Sequence, residues 1–250
     1  MCEKILAGVL AGTLWGALSG ALKAYFKVNE VISGIMLNYI GMLVGNMLIK
    51  KYAYNPAFNR SEDIPKEVML GGGLLEKMLP GSRISIIFFI SVAAVLAIKF
   101  ILDRTTFGYE LKLTGKNRYA GIYAGINDKK NIILAMAICG ALSGLAGTLV
   151  YLSSFGDHIL IVESVSQLGF TGISVALLGM SNPIGIIAAG LFIAHITVGG
   201  TYLQLFSYTP DVVNMIIGVI VFCGALVIPI RIFFEQLIKK RERTKKEAKA

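Results

Sequence analysis

The stretch Ile5-Leu-Ala-Gly8-Val-Leu-Ala-Gly12-Thr-Leu-Trp-Gly16-Ala-Leu-Ser-Gly20-Ala-Leu22 holds no charged side chain and carries glycine at every fourth position. Its length matches the roughly 20 apolar residues that cross a bilayer as a helix. Positions four apart lie on one helical face, so Gly8, Gly12, Gly16 and Gly20 form a stripe without Cβ atoms. Such a stripe lets a second backbone approach closely, which is how helices associate where lipid removes the hydrophobic drive between them. Similar apolar runs recur along the chain. Of 250 residues, 55% are hydrophobic and only 16% charged, against roughly a quarter charged in soluble domains. Mean hydropathy is +0.71. Runs near 18 residues also exclude an outer-membrane barrel, whose strands are segments of about ten alternating residues. The fold class expected is an all-α, polytopic membrane helical bundle.

Hydropathy places about seven spans, at Ile5–Leu22, Val31–Ile49, Ile84–Leu102, Asn131–Ser153, Gln167–Ser181, Pro183–Gly200 and Val212–Phe234. The fifth and sixth are short and separated only by Ser181-Asn182-Pro183. Together they define a transmembrane domain over residues 1–234, followed by a basic tail over 235–250. The net charge of +9 is concentrated there: Lys239 to Ala250 hold seven Lys/Arg against two Glu. A tail of that kind, directly after a span and without stacking aromatics, reads as a cytoplasmic end near anionic headgroups and not as a nucleic-acid-binding arm. Alternating backwards puts the loop 103–130 and the short Lys23–Glu30 turn inside as well, and the basic residues gather on that side. The segment 50–83 then falls outside despite six Lys/Arg; Glu62, Asp63, Glu67 and Glu76 nearly balance them. It reads as an external loop carrying a short surface helix. With seven spans Met1 is also outside, so either the true start lies upstream, with one or more helices preceding this chain, or the first helix enters from outside.

Gly140 and Gly144, with Gly147 slightly offset, repeat the small-residue device in the fourth span, and Gly16–Gly20 (GALSG) recurs as Gly140–Gly144. The topology runs those spans in opposite directions. That fits an inverted repeat, and equally a coincidence between two small-residue helices.

Absences narrow the function. Gly115-Lys116 is followed by Asn117, and Glu110 stands where a phosphate-binding loop needs its first glycine, so this chain holds no ATP cradle. Cys2, Cys139 and Cys223 form no C-x-x-C pair, and His158 and His195 have no partner at metal-ligand spacing, so neither metal nor other cofactor is expected. No G-x-S-x-G elbow occurs, so no catalytic residue is assigned. An ion-coupled carrier would need ionisable groups at membrane depth; Lys99 alone qualifies, near enough to a span end to snorkel. Energy supplied from outside the chain fits better. Glu30 beside Asn29 begins the second span, where an acid favours a helix N-terminus and where Lys23 or Lys27 can pair with it.

The inside loop Thr105–Ile126 reads as a short amphipathic helix broken at Gly115, then a second short helix from Asn117. It is either an element shaped to fit a groove on a motor subunit or a solvated loop with a turn. Its pattern is Thr106-x-Gly108-x-x-Leu111-Lys112-x-x-Gly115-x-Asn117-x-x-Ala120-x-x-x-x-Gly125-Ile126. This resembles the signature loop of the ABC importer permeases grouped with branched-chain amino acid and simple-sugar transporters. Gly140–Gly147, Gly169–Gly179 and Asn182-Pro183 resemble further blocks of that family. Val28-Asn-Glu-Val-Ile-Ser-Gly-Ile-Met-Leu-Asn-Tyr-Ile40 is similar to its nucleoside-uptake branch. Gly121 departs mildly, standing where many relatives have alanine.

The resemblance implies a permease subunit in the cytoplasmic membrane, working with a cytoplasmic ABC ATPase, a second permease subunit and an extracellular substrate-binding lipoprotein. It implies that Gly108, Leu111, Gly115, Asn117 and Ala120 couple the permease to the ATPase. A nucleoside needs neutral hydrogen-bonding groups and rings, which makes Asn38, Phe170, Thr171 and Ser174 the candidate pathway residues. The alternatives are the same machine carrying branched-chain amino acids or simple sugars, an ion-coupled secondary carrier, and a helical scaffold without transport.

Overall fold

The computed structural model describes residues 2–56, 60–62, 86–153, 158, 159, 161, 164–166, 168–203, 209, 211–220, 222–224 and 226. Their elements are α1 (Cys2–Phe26), α2 (Glu30–Tyr52), β1 (Tyr54–Asn55), β2 (Arg60–Ser61), α3 (Ile86–Arg104), α4 (Thr106–Lys116), α5 (Arg118–Tyr123), α6 (Asp128–Tyr151), α7 (Leu168–Leu178) and α8 (Pro183–Leu203). Five of them, α1, α2, α3, α6 and α8, are long and apolar enough to cross a membrane; α7 and a helix over Asp211–Gly224 are apolar but shorter. The all-α polytopic bundle is therefore what the chain forms. The expected spans at Gln167–Ser181 and Val212–Phe234 correspond to the two short helices. The external surface helix and the basic tail lie outside the described residues. The chain divides into two compact units, Met1–Val165 and Ser166–Ala250.

In the first unit α1 and α6 run antiparallel with their backbones in contact along the glycine stripe. Gly8 faces Gly144 and Thr148, Gly12 faces Gly140 and Gly144, Gly16 faces Met136 and Gly140, and Gly20 faces Ile133 and Met136. A Cβ added to Gly12 would lie 2.9 Å from Gly144 Cα, and one added to Gly20 would lie 2.9 Å from Ile133 Cα. The two GALSG segments thus meet at Gly16 and Gly140, in the opposed directions that an inverted repeat requires. Gly147 takes no part: nothing lies within 4 Å of its Cβ position.

Local chemistry sets the helix ends. Lys27 adopts the left-handed conformation (φ 55°) just past α1, a usual helix-stop geometry. Asn29 caps α2 by accepting from Val31 N at 2.9 Å. Glu30 in that first turn pairs with Lys23 at 2.6 Å, choosing Lys23 over Lys27. Beyond α2, the β1–β2 hairpin pairs Tyr54 with Ser61 and is tied to residue 159, where Ser61 N donates to Ile159 O (2.9 Å) and Ile159 N to Ser61 Oγ (2.8 Å). His158 Nδ1 lies 3.1 Å from Arg60 Nη1 there.

In the second unit α7 and α8 form a tight helical hairpin. Met180 and Ser181 both have positive φ (53° and 55°), a conformation uncommon for residues other than glycine. Asn182 Oδ1 accepts from Ile184 N at 3.1 Å, and Pro183 takes the first helical position, where its missing N–H is harmless. Gly179 fits against the α8 backbone, since a Cβ there would stand 2.6 Å from Ile186 N. The Gly179…Asn182-Pro183 block is thus a turn built by three special residues.

Candidate functional site

The segment Thr105–Asn131 is a capped, folded element. Thr105 donates to the Ile101 carbonyl and accepts from Gly108 N at 3.1 Å, so one hydroxyl closes α3 and opens α4. Gly108 is buried against α3, and a Cβ there would lie 2.6 Å from Leu102 Cα. Gly108→Val is expected to pry α4 off α3 and destabilise the fold by about 3 kcal/mol, read as a lowered melting temperature in detergent. An unchanged melting temperature would contradict this corner.

Asn117 serves two helices. Its N–H donates to Leu113 O at 2.9 Å, closing α4, while its side chain accepts from Ala120 N at 3.1 Å, opening α5. The break between the helices is therefore at Asn117 and not at Gly115, which lies inside α4. The reason is that Asn117 supplies a cap on both sides, whereas an isolated helical glycine costs only about 1 kcal/mol. α5 ends in a Schellman motif: Ile126 N donates to Gly121 O, Gly125 N to Ile122 O, and Gly125 sits at φ +78°. That geometry explains Gly125-Ile126 in the sequence pattern. Gly121 is buried, but a Cβ there would meet only Thr114 at 3.7 Å or beyond, so an alanine would fit.

Three contacts hold this element to its neighbours. Lys112 pairs with Asp103 on α3 at 2.6 Å, and Arg118 Nε with Asp128 on α6 at 2.7 Å. Asn131 on α6 is 3% exposed, and its Nδ2 faces Glu110 Oε2 and Thr114 Oγ1, each at 3.4 Å. The ion pairs are solvent-facing on at least one partner, and such pairs contribute roughly 0–1 kcal/mol. At 3.4 Å the two Asn131 contacts are long and individually weak, but a buried amide left unpaired costs about 1–3 kcal/mol. The Asn131 cluster is the stronger clasp, and it was missed in the sequence because an asparagine at a helix start reads as a solvated end.

Residues 115–120 and 122–125 are all exposed, although Arg118 among them pairs with Asp128. They include Tyr119 and Ile122, with Tyr123 at 93% exposure. Nothing lies within 4 Å of a Cβ at Gly115. Of the sequence-derived coupling residues, Gly115, Asn117 and Ala120 lie on this face, Leu111 is half-buried in α4, and Gly108 anchors the corner.

The proposed pathway residues fall in different units. Asn38 on α2 lines a cleft of about 260 Å³ together with Gly12, Trp15, Gly16, Ser19, Gly34, Leu37, Gly140 and Ser143. Trp15, the chain's single tryptophan, packs on Gly41 with ring atoms 3.6 Å from its Cβ position. Neither Trp15 nor the two serines were among the sequence-derived candidates; a lone tryptophan in mid-span, away from the interfacial belts, was the available signal. Phe170, Thr171 and Ser174 lie on α7 in the second unit, with Phe170 61% exposed and Ser174 Oγ donating to Phe170 O at 3.1 Å. They do not line that unit's larger cleft of about 730 Å³, which is formed by the α7–α8 turn and α8.

Comparison with known proteins places this architecture. The family model "Branched-chain amino acid transport system / permease component" matches residues 4–225. The chain belongs to this family. Among similar permeases is the guanosine ABC transporter permease protein NupP of Bacillus subtilis, 32% identical over 218 residues, or 87% of this chain and 62% of that protein. The nucleoside ABC transporter permease protein NupB of Lactococcus lactis is 30% identical over 90% of this chain and 63% of its own length. The glucose ABC transporter permease protein TsgB13 of Haloferax volcanii is 26% identical over 79% of this permease component and 53% of its own length. This chain therefore spans less than two thirds of the length of these relatives. No solved structure matches it significantly.

Proposed function

We propose that this chain is a membrane-spanning permease subunit of an ABC importer that carries nucleosides across the cytoplasmic membrane. The observation that carries the reading is the similarity to permeases named for guanosine and for nucleosides, over about nine tenths of the chain. On this reading a separate cytoplasmic ATPase docks on the exposed face over 115–125. A second permease subunit completes the pathway, and an extracellular lipoprotein delivers cargo. The basic tail and the 103–130 loop share the cytoplasmic side. The geometry supports such docking, because a well-capped, rigid element presenting tyrosines and an isoleucine has the composition of an interface core.

Asn38 with Trp15, Ser19 and Ser143, and separately Phe170, Thr171 and Ser174, are the groups proposed to contact cargo. A ribose and a base need neutral donors, acceptors and an aromatic face, and these side chains offer all three. Asn38→Leu is expected to raise KM for guanosine about tenfold, the worth of one hydrogen bond, with unchanged protein level. An unchanged KM would remove Asn38 from the path.

The test of the reading is uptake of labelled guanosine and uridine by native cells with the gene deleted and restored. Loss and recovery of uptake, competed by other nucleosides, is the expected result; unchanged uptake in cells lacking other nucleoside systems would overturn the cargo. The resemblance to a glucose permease makes simple sugars the second reading, and labelled glucose uptake by the same strains separates the two.

A further inference from the structure

We infer that Asn131 is the joint through which movement of the α4–α5 element reaches the spanning helices, an inference that rests on the coupling role proposed above. The orientation of its amide is determined by its partners. Thr114 Oγ1 donates its proton to Glu110 O at 2.8 Å, so its lone pairs face Asn131, and the Glu110 carboxylate only accepts. Both groups 3.4 Å from Asn131 Nδ2 are thus acceptors. The two N–H donors of one amide bridge two points one turn apart on α4, Glu110 and Thr114. A point contact would let α4 swivel; a two-point contact holds it in register.

What lies beyond Asn131 makes the contact mechanical. α6 is pressed backbone to backbone on α1 along Gly8, Gly12, Gly16, Gly140 and Gly144. A pair packed that closely moves as one body, because interiors at this density transmit displacement without absorbing it. α5 is joined to α4 by the double cap at Asn117. Force applied at Tyr119 and Tyr123 therefore has a continuous route: α5, Asn117, α4, Asn131, α6, α1. The parallel ion pairs, Arg118 with Asp128 and Lys112 with Asp103, each have at least one solvent-facing partner and weaken with salt. Asn131 is 3% exposed and is not screened in that way. Asn131 acts through α4 and touches no cargo, so it is a positioning residue.

The experiment uses the complete importer in proteoliposomes, with labelled guanosine, or labelled glucose if that is what the wild type accumulates. The readout is solute moved per ATP hydrolysed. Asn131→Asp sets a carboxylate against two acceptors, and the ratio is expected to fall about tenfold, within the range single substitutions reach on coupled elements. The double variant Asn131→Asp with Glu110→Gln reverses donor and acceptor and is expected to restore the ratio to about that of wild type. Packing alone does not explain such a rescue. If the aspartate variant does not assemble, Asn131→Leu, similar in size, carries the same expectation. A wild-type ratio in Asn131→Asp or Asn131→Leu, or a double variant no better than the single, would overturn the joint. A wild-type complex that hydrolyses ATP without moving either solute would instead sink the transport reading, and the inference with it.

Discussion

Gly12→Leu is expected to shift the unfolding equilibrium of the detergent-solubilised protein by more than about a hundredfold, whereas Gly147→Leu leaves it nearly unchanged. At Gly12 the first added carbon already stands 2.9 Å from Gly144 Cα, and the neighbouring obstacles are backbone atoms of Gly140 and Gly144. Backbone cannot swing aside as a flexible side chain can, so α1 and α6 must separate along their whole seam. Overpacking costs about 1–3 kcal/mol where side chains give way. Here the loss is at least the upper figure, and roughly 1.4 kcal/mol corresponds to a factor of ten. Gly147 lies only three residues beyond Gly144, in the same helix, yet its Cβ position is open. The pair therefore separates close approach from helix propensity, since both substitutions relieve a helical glycine. Thermal unfolding followed by circular dichroism and by monodispersity on a sizing column would check it; equal behaviour of the two variants would contradict the α1–α6 seam.

Gly115→Arg should reduce uptake to less than about a tenth of wild type while protein level and melting temperature stay unchanged. Its Cβ position meets nothing within 4 Å, so the arginine has room in the isolated subunit and a stability effect is not expected. A long cation at the centre of a proposed docking face is another matter. Interface cores exclude unpaired charge, and one buried there costs several kcal/mol, which is tenfold or more in binding. The ATPase should therefore co-purify poorly with this variant. Normal uptake with normal ATPase recovery would remove the face over 115–125 from the contact. Tyr123, at 93% exposure, offers a smaller perturbation of the same surface.

Much of this architecture was legible because membrane helices obey few rules. Long apolar runs marked α1, α2, α3, α6 and α8, and the four-residue glycine period marked the face by which α1 packs. Which helix it would meet was not written in that period; the recurrence of GALSG pointed to α6 but had a plain coincidence beside it. Gly147 looked like part of the stripe since Gly-x-x-Gly spacing nearly keeps to one face, and only the helical phase removes it. In the segment 105–126 the existence of two short helices was readable and their boundary was not. Glycine is the stronger breaker by propensity, but Asn117 supplies two hydrogen bonds exactly where two helix ends need them. The place of Glu30 in the first turn of α2 was readable because it is local in sequence, but the choice of Lys23 over Lys27 as its partner was not. Asn131 and Trp15 were not, because their partners are 17 to 21 residues away for Asn131 and on other helices for Trp15.

The central claim is that this chain serves a nucleoside importer driven by a separate ATPase, and one measurement addresses it directly. The chain would be reconstituted in proteoliposomes with the ATPase, permease and binding protein that co-purify with it from native cells, and uptake of labelled guanosine followed with ATP, with ADP, and with the Gly115→Arg chain substituted. Guanosine accumulation that requires ATP and is lost in the substituted complex is the predicted result. Guanosine uptake that proceeds equally with ADP, or equally with Gly115→Arg, would contradict it.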